Sequence, residues 1–348
     1  VIADDAASLL AAMLQGVQAE GDEIGGIGDA DYAEDAAFLL QLVAIVEGVP
    51  DLDPAAITLE ADPTVDAGYR ADGFDSTHTV VRIVNDDMPF LVDSVRMALS
   101  KFDITLHQIA HPVISLRRDA AGQLQAVGEG EAESLMYLEI DRQADAGAMA
   151  AIEEAIREAL ADVRSAVADW SQMREKMLEI AGEIPARAMP VEPACRAETE
   201  AFLRWAADNH FTFLGYREYE VVDRELRAVE GSGLGLLRGK DQQAQSRPIT
   251  GLAAADLPPG ASLDVLILTK TNARATVHRP GYMDYIGVLV FDGNGRAVRE
   301  QRFLGLYTSS AYNRRPWEIP LVRQRHEFVM AQSGLALTSH SGKALRHI

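Results

Sequence analysis

The chain has 348 residues, 48% hydrophobic and 24% charged, a balance that excludes wholesale disorder and fits roughly two or three soluble domains with their own cores. Asp and Glu number 53 against 32 Lys and Arg, and the resulting net charge of −21 repels nucleic acid. The single cysteine, Cys195, excludes an internal disulfide and fits a reducing, cytoplasmic setting, and no apolar run nears the ~20 residues that a membrane helix needs.

The charge is uneven along the chain. Residues 1–75 hold 17 acidic residues and one basic residue, Arg70, whereas residues 271–348 hold 11 Lys or Arg and 5 acids. Such runs are usually solvated faces; docking between oppositely charged ends is the sharper alternative. The N-terminus has no basic stretch followed by an apolar one, so no signal peptide is expected.

Leu9, Leu10, Met13 and Val17 recur at helical spacing, as do Phe38, Leu39, Leu42 and Ile45, and predict helices over 3–19 and 32–47. Gly21 to Gly28 links them, and the Asp-, Pro- and Gly-rich run from Asp51 to Asp75 reads as a connector. Thr77 to Asn85 alternates like a strand. Asp86-Asp87-Met88-Pro89 breaks it, with Pro89 suited to a first helical turn and the preceding Asp to an N-cap. A helix follows through Leu91, Val95, Leu99 and Phe102. Ile104 to Arg118 then predicts one long strand, and Asp119 to Gly122 a turn. Leu124 to Val127 and Ser134 to Asp141 predict two further strands, Ala146 to Ala161 a helix, and Val163 to Ala168 a last short strand. Strand, helix, strand, strand, helix, strand is the split βαβ, ferredoxin-like order: two helices on one face of an antiparallel sheet.

Ser171 to Gly182 predicts another helix, and Pro185 to Pro193 a link. A second unit opens with a helix over Ala197 to Asn209 and an extended run from Phe211 to Val222. Gly231 to Pro259 is polar and loop-rich, and Val265 to Thr271 predicts a strand. Tyr285 to Phe291 and Arg296 to Tyr307 flank Asp292-Gly293-Asn294-Gly295, a hairpin signal. The unit reads as mainly antiparallel sheet. Ile319 to Gln332 predicts a closing helix with Gly334 at its C-cap. The apolar ending Ala344 to Ile348 suggests that the polypeptide continues.

Few motifs carry chemistry. Gly231-Ser232-Gly233-Leu234-Gly235 lacks the spacing and the flanking strand and helix of a dinucleotide fingerprint, so it predicts a loop. Neither a Walker motif nor a Rossmann fingerprint occurs, and no cofactor is expected in this chain. His107 and His111, four residues apart on one strand, would lie roughly 13 Å apart, too far to share one zinc ion. His78 and His278 have no second ligand at a recognised spacing, so no metal is expected. Cys195 has no adjacent His, and no Gly-x-Ser-x-Gly elbow occurs, so no catalytic residue is assigned.

Asp86, Asp87, Met88, Pro89, Phe90 and Leu91 form the segment with the clearest binding logic. A helix N-terminus presents N–H groups that can hold a carboxylate, and Asp86 or Asp87 could hold an ammonium nearby. Those are the two ends of a free amino acid. The plainer reading is that Asp87 caps the helix and Phe90 fills the core. Thr276 to Tyr285, with His278, Arg279 and Tyr282, mixes charged, aromatic and turn residues and reads equally as binding loop or interface.

Val84-Asn85-Asp86-Asp87-Met88-Pro89-Phe90-Leu91-Val92-Asp93-Ser94-Val95 resembles a signature near the start of the large bacterial NAD-specific glutamate dehydrogenases. So do the strand from His107 to Arg118, Thr276 to Ile286, Arg302-Phe303-Leu304-Gly305-Leu306-Tyr307-Thr308-Ser309, and Ser339-His340-Ser341-Gly342-Lys343-Ala344-Leu345. The matches run in the family's order from about residue 77; residues 1–60 resemble it only loosely.

The resemblance implies an α+β chain from the family's N-terminal region. A helical acidic extension would cover residues 1–75 and an ACT-like domain residues 76–184. A second antiparallel-sheet domain, PAS-like or ACT-like, would cover 194–318, and a helix opening the next domain 319–348. It implies no catalytic residue here, with the family's lysines, nucleotide-binding glycines and NAD in a later catalytic domain. The expected partners are that catalytic region, other subunits of a homo-oligomer and a small amino-acid effector at Asp86 to Leu91, with no nucleic acid and no membrane. A purely structural assembly segment is the alternative.

Overall fold

The computed structural model describes residues 57–61, 77–120, 122, 124–223, 225–239, 265–335 and 338–346. The helices expected over 3–19 and 32–47 lie outside the described residues. The chain divides into two compact units between Val163 and Arg164.

In the first unit, β1 (Ile57–Ala61), β2 (Thr79–Asp86), β3 (Leu106–Ala110), β4 (Val113–Arg118), β5 (Leu124–Val127) and β6 (Glu131–Ile140) form one sheet. Its order is β1-β2-β6-β4-β5, with β3 also on β6, and every pairing is antiparallel. Helix α1 (Leu91–Leu99) connects β2 to β3, and α2 (Ala146–Ala168) follows β6. Val81, Ile83, Met136, Leu138 and Ile140 are buried along the two central strands, as are Val95 and Leu99 of α1 and Ile152 and Ile156 of α2. Those positions follow the periods of 2 and 3.6 that the sequence displays.

Three expectations for this unit need correction. Val163 to Ala168 is not a strand: α2 runs on to Ala168. Val163 and Ala166 are buried three residues apart, which is helical spacing. The edge seat beside β2 is filled instead by β1, from the run expected to be a connector, in the register Ile57↔Ile83 to Ala61↔Thr79. The split βαβ core is therefore present, with its fourth strand supplied from before the first. The long strand over 104–118 is two strands, β3 and β4, because Pro112 has no N–H to donate to a ladder.

The second unit contains α3 (Trp170–Glu183), α4 (Pro193–Trp205), β7 (Phe211–Val222), β8 (Glu225–Ala228), β9 (Leu234–Gly235), β10 (Leu266–Arg274), β11 (Tyr282–Phe291) and β12 (Ala297–Tyr307). The short α5 (Ser309–Tyr312), then α6 (Val322–Ser333) and α7 (His340–Arg346), complete it. The sheet order is β10-β11-β12-β7-β8, with β9 on β7, all antiparallel. Met173, Met177 and Ile180 of α3 pack with Phe202 and Leu203 of α4 against Phe213, Tyr216, Ile286 and Phe303 of the sheet. Spacings of four and three residues place the α3 side chains on one stripe. The hairpin expected at Asp292 to Gly295 joins β11 to β12, and Asp292 Oδ1 accepts from the N–H groups of Asn294 and Arg296, both at 2.9 Å. Gly334 ends α6 in the left-handed conformation, as expected for a C-cap glycine.

Candidate functional site

The Asp86 to Leu91 segment joins β2 to α1. Asp86, Asp87 and Pro89 are exposed, Met88 and Phe90 are half-buried, and Leu91 is buried. Asp87 does not cap the helix. Its own N–H donates to Ala132 O at 2.9 Å, which holds the chain in register with β6 one residue past β2. The chain then turns at Phe90, the N-cap residue, whose φ of 76° is left-handed and which has no side-chain cap. The helix consequently begins at Leu91, and Pro89 stands before it rather than in its first turn.

A bulky residue at positive φ is uncommon and costs about 1–3 kcal/mol, a strain that clusters at binding and switch regions. Ser94 N–H is the first to find a helical partner, the Phe90 carbonyl at 3.1 Å. By the geometry of any helix, the N–H groups ahead of it have no partner inside the helix.

Beside this turn lies a buried polar layer. Asn85 stands opposite Ser134 in the β2–β6 register, and both are buried. Asn85 Nδ2 donates to Asp86 O at 2.7 Å, and His111 Nε2 lies 2.6 Å from Ser134 Oγ. Glu133, opposite Asp86, is buried and receives Arg118 Nε at 2.6 Å and Nη2 at 2.7 Å. Arg118 Nη1 also donates to Gly122 O at 3.0 Å. Ser134, His111, Arg118 and Glu133 are thus brought next to the loop that the sequence singled out. Sequence reasoning missed them as a group. The available signal was two polar residues, Glu133 and Ser134, directly ahead of the apolar run Leu135 to Leu138.

Burial lowers the pKa of His111 below the ordinary histidine value, against the opposing pull of the Asp87 carboxylate. A histidine whose folded-state pKa is depressed supports the fold above the unfolded pKa. That support is lost as pH falls below ~6.5 and on through the folded pKa. We therefore expect the first unit to lose stability on acidification from pH 7.5 to 5, and His111→Asn to flatten that slope. Melting temperatures of both proteins across this range check it; parallel slopes would rule His111 out as the source.

The other candidates separate. His107 Nε2 pairs with Asp141 Oδ1 at 2.7 Å, and the His78 ring lies 4.2 Å from the His107 ring. His111 faces Ser134 instead. Among the described residues, no group of three or more His, Cys, Asp and Glu is placed to hold a metal. In the Thr276 to Tyr285 segment, Arg279 Nη2 donates to Tyr307 O at 2.9 Å, and Asp284 pairs with Lys270 at 2.6 Å. Both tie that segment to its own sheet. No described helix is long and apolar enough to cross a membrane.

Residues 62–156 match the family profile "Glutamate dehydrogenase, ACT1 domain", and residues 319–348 match "Glutamate dehydrogenase, helical motif 1". An NAD-specific glutamate dehydrogenase from Pseudomonas aeruginosa is 39% identical over 293 residues, covering 80% of this chain and 18% of the relative. Another from Halomonas elongata is 35% identical over 292 residues with the same coverage. A third, from Mycobacterium tuberculosis, is 29% identical over 290 residues, 80% of this chain and 17% of its own length. The chain thus spans less than a fifth of the length of these relatives. A solved RNA-binding light-oxygen-voltage receptor aligns over 70% of this chain and 85% of its own, at 10% identity and a TM-score of 0.17, which carries no argument about fold. On the ACT1 profile, the helical motif and the two relatives above 30% identity, this chain belongs to the NAD-specific glutamate dehydrogenase family, as a segment from its N-terminal region.

Proposed function

We propose that this chain is a regulatory, non-catalytic segment of an NAD-dependent glutamate dehydrogenase and that it senses a free amino acid. The parent reaction is then the oxidative deamination of L-glutamate to 2-oxoglutarate and ammonia, with NAD bound by a catalytic region outside these residues. The observation that carries the reading is the β2–α1 turn within the ACT1 match. There a strained Phe90 and two exposed carboxylates stand at a helix start that no side chain caps. The effector carboxylate meets the first-turn N–H groups of α1, and Asp86 or Asp87 meets its ammonium group. Met88 and Phe90 face its side chain.

The partners in this reading are the catalytic region and other subunits of a cytoplasmic homo-oligomer. The second sheet supports a PAS-like assignment, because the order β8-β7-β12-β11-β10 runs 2-1-5-4-3 when the five main strands are numbered within the unit. A purely structural, assembly-driving role is the second reading. It draws on Val322, Phe328 and Val329, apolar side chains exposed on α6.

A thermal-shift series with the twenty common amino acids tests the sensing role. One or a few of them should raise the melting temperature of the first unit, by an amount that grows with concentration. A flat response to all twenty, with self-association seen by light scattering, would leave assembly as the function.

A further inference from the structure

We propose that His210 is a proton-controlled pin beside the helical motif: the neutral imidazole holds Arg314, and the protonated one releases it. All of the groups involved lie in the second unit, and the proposal does not depend on effector sensing.

Local geometry puts the histidine in place. Helix α4 ends at Trp205 and opens into the turn Ala206–His210, in which Asn209 takes a left-handed φ of 57°. Asparagine adopts that conformation more readily than most residues. The turn feeds β7 at Phe211 and leaves His210 buried, at 4% exposure. The imidazole stacks on the Trp205 indole, with centroids 4.4 Å apart and planes 15° from parallel.

Two bonds fix the protonation state of the ring. Nδ1 lies 2.8 Å from Trp205 O, and Nε2 lies 3.1 Å from Arg314 Nε. A carbonyl only accepts and a guanidinium only donates. Nδ1 therefore carries the hydrogen, and Nε2 offers its lone pair to Arg314. A proton on Nε2 removes that lone pair and sets an imidazolium N–H against the guanidinium N–H. Arg314 is exposed, so it is the partner able to swing away into water.

The other groups that meet this turn do not relieve the new charge. Arg174 of α3 donates from Nε to Ala207 O at 2.9 Å, so that helix also brings a cation. At the end of β12, Arg279 Nη2 donates to Tyr307 O at 2.9 Å. The Tyr307 ring lies 6.3 Å from the Trp205 ring, and burial, then the Asp284 charge, keeps its phenol neutral. Asp208, in the same turn as His210, is exposed to solvent.

The pin closes a short circuit of bonds. Thr308 N–H donates to His210 O at 3.1 Å, and Thr308 Oγ1 donates to Asn209 O at 2.8 Å. Thr308 then caps α5, and Arg314 N–H returns to Ala311 O at 3.2 Å. The Arg314 side chain ties the far end of this connection back to the turn, just ahead of Pro316–Glu318 and the helical motif from residue 319. Histidine is the side chain whose charge changes between ~pH 5 and 8, so the connection answers to pH in that range.

Histidine-selective NMR of the whole chain, paired with hydrogen exchange, tests this. At pH 7.5 the His210 ring should be neutral with its hydrogen on Nδ1. On acidification to pH 5.5, Nε2 should gain a proton. Protection of the Tyr312 and Arg314 amides should then fall about tenfold, the size of one hydrogen bond, after correction for the intrinsic pH dependence of exchange. Protection along β12 should hold. Arg314→Ala should give low protection at both pH values. His210→Gln should give high protection at both, because a carboxamide can accept from Arg314 and donate to Trp205 O without titrating. Arg314 is exposed, so its variant should fold even if the buried one does not. His111→Asn, in the first unit, should keep the parent response. A hydrogen on Nε2 at pH 7.5 overturns the proposal. So does a pH response that Arg314→Ala retains, or no response in the parent chain.

Discussion

Arg118→Ala should destabilise the first unit by about 3–5 kcal/mol, the usual result of leaving one member of a buried ion pair without its partner. The Arg118 and Glu133 side chains are 8% and 6% exposed, and the guanidinium meets the carboxylate through two parallel bonds of 2.6 and 2.7 Å. Alanine at 118 strands the Glu133 carboxylate inside the sheet, away from water and with its two strongest donors gone. The intact pair does not stabilise the fold by the same amount, because burying both ions is itself costly. The double variant Arg118→Met with Glu133→Leu should therefore recover most of the loss. Urea unfolding of the three proteins, followed by a probe in the first unit, measures this. A single variant within about 1 kcal/mol of the parent would mean that water reaches Glu133.

That ion pair also marks where sequence reading stops. The apolar alternation of β2 and β6, the helical stripe of α1 and the Asp292 to Gly295 turn were legible, because each reports a local period or a local turn geometry. The seat of β1 was not. A five-residue strand, Ile57–Ala61, inside a Pro- and Asp-rich run carries no signal of its own, and only pairing to β2 gives it a place. Val163 to Ala168 misled in the opposite sense: a run of only six residues, Val-Arg-Ser-Ala-Val-Ala, suits a short strand or the end of a helix, and continuation from α2 decided it. The extent of α2 also places the Trp170–Glu183 helix with the second unit, where Met173 and Met177 find the Phe213 core.

At the candidate site, the turn was legible and its surroundings were not. Asp86 to Leu91 is a local break between a strand and a helix, and such breaks can be read along the chain. The layer of Ser134, His111, Glu133 and Arg118 depends on register between strands that lie far apart in sequence. The identity of the capping residue also escaped. Propensity favours Asp over Phe at an N-cap, but the Asp87 N–H bond to Ala132 O sets the backbone course, and the cap falls at Phe90.

This changes what substitution at Asp87 tests. Were Asp87 a cap, its removal would weaken both helix and ligand site, and the two effects would be confounded. The Asp87 carboxylate is exposed and caps nothing, so Asp87→Asn and Asp87→Ala should both keep the stability of the free protein within about 0.5 kcal/mol. Binding should respond strongly. A charge-assisted hydrogen bond from the effector ammonium is worth ~1.5–3 kcal/mol, so loss of the carboxylate charge should weaken binding roughly tenfold to a hundredfold. The amino acid that most raises the melting temperature of the parent chain serves as the titrant, and Asp86→Asn is the paired control for the neighbouring carboxylate. A second readout needs no ligand. The Asp87 charge pulls the His111 pKa upward against burial, so its neutralisation should move His111 lower still, which NMR titration of the imidazole resolves. A lowered His111 pKa with undiminished binding in both Asn variants would confirm the electrostatics of the turn and place the effector elsewhere. Weakened binding in Asp87→Asn alone, at unchanged stability, would identify Asp87 as the group that holds the ammonium.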